Sequence, residues 1–238
     1  MNGSTKRNRK QKESLIVVTI DGPAGAGKTT IARRLAERFG FCMLDSGALY
    51  RAIALALLGA QVTPDAEAIP EDLLSTIKIS VQPGVGRMKL LLGNEDVSAE
   101  LRSEEVGLAA SKFSARPEVR KALLGVQRSV AKQHNIVAEG RDMGAVVFPF
   151  AQVKFFLTAD SEERAKRRYA ELLEKGEHPF YSQVFSEMRA RDHRDETRDL
   201  APMVPAADAI VIDTTSLTPD GVLSIMSDHI GAKLGIVT

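Results

Sequence analysis

Gly22, Gly27, Lys28 and Thr29 stand at the spacing G-x-x-x-x-G-K-[ST] within "DGPAGAGKTT", and that combination suits one task, the holding of a polyphosphate. Glycines let successive backbone N–H groups turn inward around anionic oxygens, the following helix contributes the positive end of its dipole, and a lysine bridges the terminal phosphates. A threonine hydroxyl, Thr29 or Thr30, then reaches Mg²⁺. The run Gly22, Pro23, Ala24, Gly25, Ala26, Gly27, Lys28, Thr29 and Thr30 is therefore assigned to a nucleoside triphosphate and its metal. The loop alone does not separate a kinase from a GTPase switch or a motor. None of the four asparagines is followed by lysine, as a guanine-reading Asn-Lys-x-Asp segment requires, and no apolar strand ends in Asp-Glu. A small kinase gains over both; a nucleotide-dependent switch or binding protein is the alternative from another class.

A kinase also needs a place for its acceptor. Ser46, Tyr50 and Arg51 in "LDSGALYR" follow a short apolar run at the C-terminal end of an expected strand beside the loop, where open α/β sheets bind ligands. Two arginine clusters lie further on. In "DSEERAKRR", Arg164, Arg167 and Arg168 fall at i, i+3 and i+4 behind Asp160 and Glu163, which read as a capping pair. Three cations on one face repel unless an anion joins them, so this helix reads as a lid over ATP phosphates. In "RARDHRDETRD", Arg191, Arg194, Asp195 and Arg198 fall on one side of a helix, with Asp195 placed to pair with Arg191 or Arg198.

The elements that must position these residues are legible as apolar runs. "LIVVTI", "FCML", "NIVAE", "VKFFLTA" and "AIVIDTT" read as five short core strands with helical patterns between them. Residues 28–39 place Ile31, Leu35 and Phe39 on one face and end at Gly40, which suits a helix stop. Strand, loop, helix and strand in alternation predict a parallel sheet covered by helices. "KISV" and "RMKLLLGNEDVS" around a "QPGVG" turn differ in character and predict an antiparallel hairpin within an inserted subdomain over about 74–115.

With 238 residues, the chain has room for one domain carrying insertions, here 15–238. Lys plus Arg is 32 against 31 Asp plus Glu, so the charge of +1 gives no general reason to bind nucleic acid or an anionic membrane. Residues 1–14 read as a basic disordered tail, and the apolar run behind them is too short for a membrane span. The lone Cys42 reads as a small buried hydrophobe of a reducing, cytoplasmic compartment. No feature points to zinc, haem or a nicotinamide.

Taken together, "IDGPAGAGKTT", "LDSGALYR", "GRDMGAVVFP", "RDHRD" and "LAPMVPAADAIVIDTT" resemble the bacterial cytidylate kinases, colinearly from about Val17 to Thr215. The resemblance implies an α/β P-loop fold like adenylate kinase, three layers around about five parallel strands, with an enlarged monophosphate-binding insert and a short lid at about 160–176. It implies transfer from ATP to CMP or dCMP, and action as a monomer. A UMP/CMP-type or other small-molecule P-loop kinase is the alternative within the class. By this resemblance Arg51 and Arg141 hold the acceptor phosphate. Ser111, Arg120 and Asp142 contact cytosine, and Arg191, Asp195 and Arg198 surround the sugar, base and transferring phosphate. Ser46 and Tyr50 shape the pocket, and Lys28, Arg164, Arg168 and Arg191 carry the catalytic charge. Ala145 departs from the Gly-Thr of the family segment and removes a hydroxyl. No general base is needed, because the acceptor is already an ionised phosphate.

Overall fold

The structure, a computed structural model, describes residues 15–70 and 72–236; the expected tail, 1–14, lies outside them. The first strand, β1 (Val17–Asp21), is buried at every position and runs through the glycine loop into α1 (Lys28–Phe39). Ile31 and Leu35 of α1 are buried as their spacing predicts, and Gly40 closes the helix in a left-handed conformation, φ 67°. Next come β2 (Cys42–Asp45) and α2 (Ser46–Gly59). Asp45 caps α2 by accepting a hydrogen bond from the Ala48 amide at 3.0 Å.

An excursion follows: α3 (Leu73–Thr76), then β3 (Ile79–Gly84), β4 (Arg87–Leu92) and β5 (Glu95–Asp96) in one antiparallel sheet, then α4 (Glu104–Phe113) and α5 (Pro117–Ala131). The hairpin turn is shorter than "QPGVG" suggests. Gln82, Pro83 and Gly84 continue β3 opposite Lys89, Met88 and Arg87, and β3 is an edge strand, where a proline without an N–H is tolerated. The turn is Val85–Gly86, and Val85 forms an isolated antiparallel bridge to Cys42 of β2. Cys42 is thus half-buried, not fully enclosed as its apolar setting suggests.

The chain returns to the core through β6 (Ile136–Glu139), β7 (Val153–Thr158), α6 (Ser161–Glu174), α7 (Tyr181–Thr197), β8 (Ile210–Asp213) and α8 (Pro219–Leu234). The five predicted strands all form, in the parallel order β2-β6-β1-β7-β8. One face buries Leu49, Ile53 and Leu57 of α2 with Phe113 and Leu123 of α4 and α5; the other buries α1 and α8 through Leu35, Met226 and Ile230. A three-layer α/β architecture results. Beside it, α6 and α7 pack through Ala165, Leu172, Val184 and Met188. In the register, Asp45 and Ile20 both stand level with Glu139, so β1, β2 and β6 end together along the C-terminal rim of the sheet.

Candidate active site

At that rim the glycine loop is dictated by contact as much as by φ. Gly22 has φ +139°, and a Cβ there would lie 2.0 Å from the Leu157 carbonyl oxygen of β7; only glycine lets the two backbones pass. Lys28 is buried and donates from Nζ to the Pro23 carbonyl oxygen at 2.7 Å. Burial and the Arg141 cation lower its pKa towards neutrality. Beside it, burial and the Asp45 carboxylate raise the pKa of Glu139, despite Lys28 and a hydrogen bond from the Thr29 side chain. The Oε1 atom of Glu139 is buried and has no hydrogen-bond partner among the described residues. An unsatisfied carboxylate oxygen, a second carboxylate and a threonine hydroxyl are hard oxygen donors, the set Mg²⁺ takes when it also binds phosphates. Thr29 is thus the threonine set among carboxylates. Thr30 borders the same cleft as Thr29 and also a cavity of about 550 Å³ between the loop, Glu163 and Arg167 of α6, and residues 214–219.

The acceptor side is assembled from five separated segments. Ser46, Tyr50 and Arg51 come from α2, Ser111 from α4, Arg120 from α5, Arg141 and Asp142 from the loop after β6, and Arg191, Asp195 and Arg198 from the end of α7; all line one pocket. Its charges are paired in advance. Asp142 is ion-paired to Arg120 and stands 4.0 Å from Arg198 Nη2, and burial raises its pKa against the pull of both cations. Asp195 accepts from Arg141 Nε at 3.0 Å, with Arg198 at 3.7 Å and Arg191 at 3.9 Å. The nearest partner of Asp195 is therefore Arg141, not either helix neighbour. The Arg120 guanidinium lies 5.7 Å from the Tyr50 ring centroid, and burial pushes the Tyr50 phenol up to about 12. Burial, with Arg141 beside it, lowers Arg191 to about 10. Ser111 Oγ, Arg191 Nε and Arg198 Nη2 have no hydrogen-bond partner among the described residues.

This pocket and the cleft over Lys28 share one wall: Gly47, Arg51, Gly140, Arg141 and Arg191 border both. Arg168 and Glu171 of α6 also border the cleft. An anion entering from either direction meets the same three arginines.

The first arginine cluster does not act as a single cradle. Arg168 faces the cleft, 3.3 Å from Glu171. Arg164 is instead buried, donating to the Ala159 and Ala24 carbonyl oxygens at 2.9 and 3.1 Å and pairing with Asp192. Arg167 donates to Glu163 at 2.9 Å and to the Thr214 carbonyl oxygen at 2.7 Å. Helical spacing identifies the face, but a turn advances about 5.4 Å along the axis, so the first turn of α6 meets the glycine loop and the second meets open cleft. Asp160 occupies the N-cap position without a side-chain cap bond; its amide donates to Thr215 Oγ1 at 3.0 Å and Glu163 accepts from Arg167, so the expected capping pair does not form. In the second cluster Arg194 is exposed, whereas Asp192 is buried and pairs with Arg164 of α6.

Three functional positions escape the sequence reading. Asp21 accepts from the Met143 and Gly144 amides at 2.8 and 2.7 Å, tying the base of the glycine loop to the turn that carries Arg141 and Asp142. Gln127 of α5 donates to Ser46 Oγ at 3.1 Å and is buried. The third is Asp192. A carboxylate closing a mostly apolar strand was the available signal for Asp21; the other two had none.

A parallel α/β sheet with a glycine loop between β1 and α1, and a second anion pocket across a shared arginine wall, defines a P-loop small-molecule kinase. The family model of cytidylate kinase matches residues 18–231, and the chain belongs to the cytidylate kinase family. It is 48% identical over 221 residues to the cytidylate kinase of Pasteurella multocida (strain Pm70), covering 93% of this chain and 97% of that protein. Against the cytidylate kinase of Aeromonas hydrophila subsp. hydrophila it is 47% identical over 222 residues, covering 93% and 96%.

Proposed function

We propose that this chain transfers the γ-phosphoryl group of ATP, as its magnesium complex, to CMP or dCMP, giving CDP or dCDP. The observation that carries the reading is the wall of Arg51, Arg141 and Arg191 common to the Lys28 cleft and the pocket beyond it, since in-line transfer requires donor and acceptor oxygens to meet across one electrostatic clamp.

The amides of Gly22 to Lys28 receive the donor phosphates, and Lys28 exchanges the Pro23 carbonyl for a phosphate oxygen. The adenosine end fits the cavity between Arg167 and residues 214–219. Mg²⁺ would be held by Thr29 with Glu139 and Asp45 near it; when bound, it neutralises charge on the transferring group. Arg51 and Arg141 hold the acceptor phosphate, whose oxygen attacks without a base, and Arg168 and Arg191 stabilise the spreading charge. At the far end Asp142 accepts from the cytosine amine while Arg120 and Ser111 serve the ring acceptors. Uracil reverses the donor and acceptor order there, and a mismatched buried polar group costs about 1–3 kcal/mol. The insert over about 74–115 and a lid over about 160–176 close over the two nucleotides and exclude water. No helix among the described residues is long and apolar enough to cross a membrane. Independently of that, the family reading has the enzyme work as a monomer in the cytoplasm.

The deciding experiment measures acceptor-dependent ADP formation with Mg-ATP against CMP, dCMP, UMP, AMP and shikimate. CMP and dCMP are expected to exceed UMP by tens-fold or more. Equal rates with UMP would reassign the pocket to a broader pyrimidine kinase, and slow hydrolysis indifferent to every acceptor would overturn the kinase reading.

A further inference from the structure

Helix α7 has two working sides. Arg191 and Asp195 face the acceptor pocket. Asp192, between them in sequence, is buried and reaches the opposite way, to the donor loop: one carboxylate oxygen accepts from the Ala24 amide at 3.4 Å and the other pairs with Arg164. The same Arg164 guanidinium donates to the Ala24 carbonyl oxygen at 3.1 Å. Both backbone polar groups of Ala24 are thus gripped by one buried ion pair, built from the lid helix and the acceptor helix. On one side of Ala24 is Pro23, whose carbonyl receives Lys28. On the other is Gly25, where a Cβ would lie 2.8 Å from the Arg164 carbonyl oxygen and 3.0 Å from Met188 Cε, so the loop is packed against α6 and α7 with no slack.

We propose that Asp192 is a positioning residue that joins the donor loop to the acceptor-binding turn of α7, so that filling one site changes affinity at the other. It borders neither the acceptor pocket nor the Lys28 cleft and spends both carboxylate oxygens on protein partners, so it touches no reacting group. A displacement of the turn by an acceptor on Arg191 and Asp195 is carried by Asp192 to Ala24, and through Pro23 to the resting place of Lys28. Coupling between two binding sites is reciprocal, so the donor acts on the acceptor through the same link. The inference rests on the proposed donor and acceptor assignments, and deepens them by naming what connects the two.

The test uses the full chain and Asp192→Asn, Asp192→Ala, Arg164→Met and the Asp192→Asn/Arg164→Met double variant. Steady-state rates with Mg-ATP and CMP are measured, along with CMP affinity by calorimetry with and without the magnesium complex of a β,γ-imido ATP. The wild type is expected to bind CMP at least about fivefold tighter with the ATP analogue present. In Asp192→Asn that factor falls towards one, kcat drops about 10- to 100-fold, and the CMP affinity measured alone stays within about twofold of the wild type. The double variant loses no more than the worse single one, as expected of groups acting as a unit. Where Asp192→Ala does not fold, the isosteric Asn variant and Arg164→Met decide the matter. Wild-type coupling and kcat retained in Asp192→Asn, losses that simply add, or a wild type with no coupling would each overturn this inference alone. A wild type that phosphorylates none of the acceptors would overturn it together with the functional reading.

Discussion

The donor loop and the acceptor pocket meet at one arginine wall but are made of different material. The donor side is nine consecutive residues whose useful groups are mostly backbone amides, shaped by close approach: Gly22 against Leu157 and Gly25 against Arg164. The acceptor side is side chains from five segments, with Asp142 and Asp195 each held by more than one arginine. Removing a donor-side group should therefore cost rate with little cost in stability, whereas removing an acceptor-side carboxylate leaves cations buried without a counter-charge and costs both.

Lys28→Met is the sharpest way to break this contrast. It should lower kcat about 10³-fold while the urea midpoint holds or rises, since the lysine is already held against a burial penalty; near-normal turnover, or a chain that unfolds, would erase the distinction. Asp142→Ala probes the other side. Arg120 and Arg198 lose their shared partner, so unfolding measurements should show a loss of about 3 kcal/mol or more, and competition assays a fall in CMP-over-UMP preference of about tens-fold. Retention of that preference would remove Asp142 from cytosine recognition.

Asp21 sharpens the comparison where the two regions join. Burial raises its carboxyl from 3.8 to about 6, against the Gly144 and Met143 amides that favour ionisation. The protonated form is the one the folded protein favours, so the contribution to stability is complete below about pH 4 and lost as pH rises through 6, a change of about 3 kcal/mol. Asp21→Asn should lack that slope, so that wild-type and variant urea midpoints change their separation between pH 4 and 7; parallel curves would rule the assignment out. The smallest effect belongs to Gln127→Ala, which frees Ser46 Oγ and should raise the KM for CMP about two- to tenfold with kcat intact, the worth of one neutral hydrogen bond.

How much of this was legible in the sequence follows the same divide. The glycine loop was readable because its chemistry is local: spacing alone dictates which amides turn inward. The five strands were readable as short apolar runs, yet their order was not, because Ile136 pairing with both Val17 and Cys42 is a long-range choice. On the acceptor side the residues were named through family resemblance, and the resemblance carried membership of the pocket but not its pairings. Helical spacing offered Asp195 to Arg191 and Arg198, whereas Arg141, 54 residues away, is closest. It put Arg164 and Arg168 on one face without showing that one turn meets protein and the next open cleft. Asp192 was hidden for the same reason: its partners are a backbone amide 168 residues distant and an arginine of another helix.

The bridge between Cys42 and Val85 turns a structural detail into an instrument. Cys42 is the only cysteine in the chain; it is half-buried, and burial pushes its thiol pKa up. It sits where the tip of the β3–β4 hairpin meets the core sheet. A thiol-reactive dye would therefore label one site and no other, and its rate of attachment would clock how often the hairpin lifts from β2. A bulky adduct would wedge that contact apart, turning the same sulfur from a reporter into a doorstop.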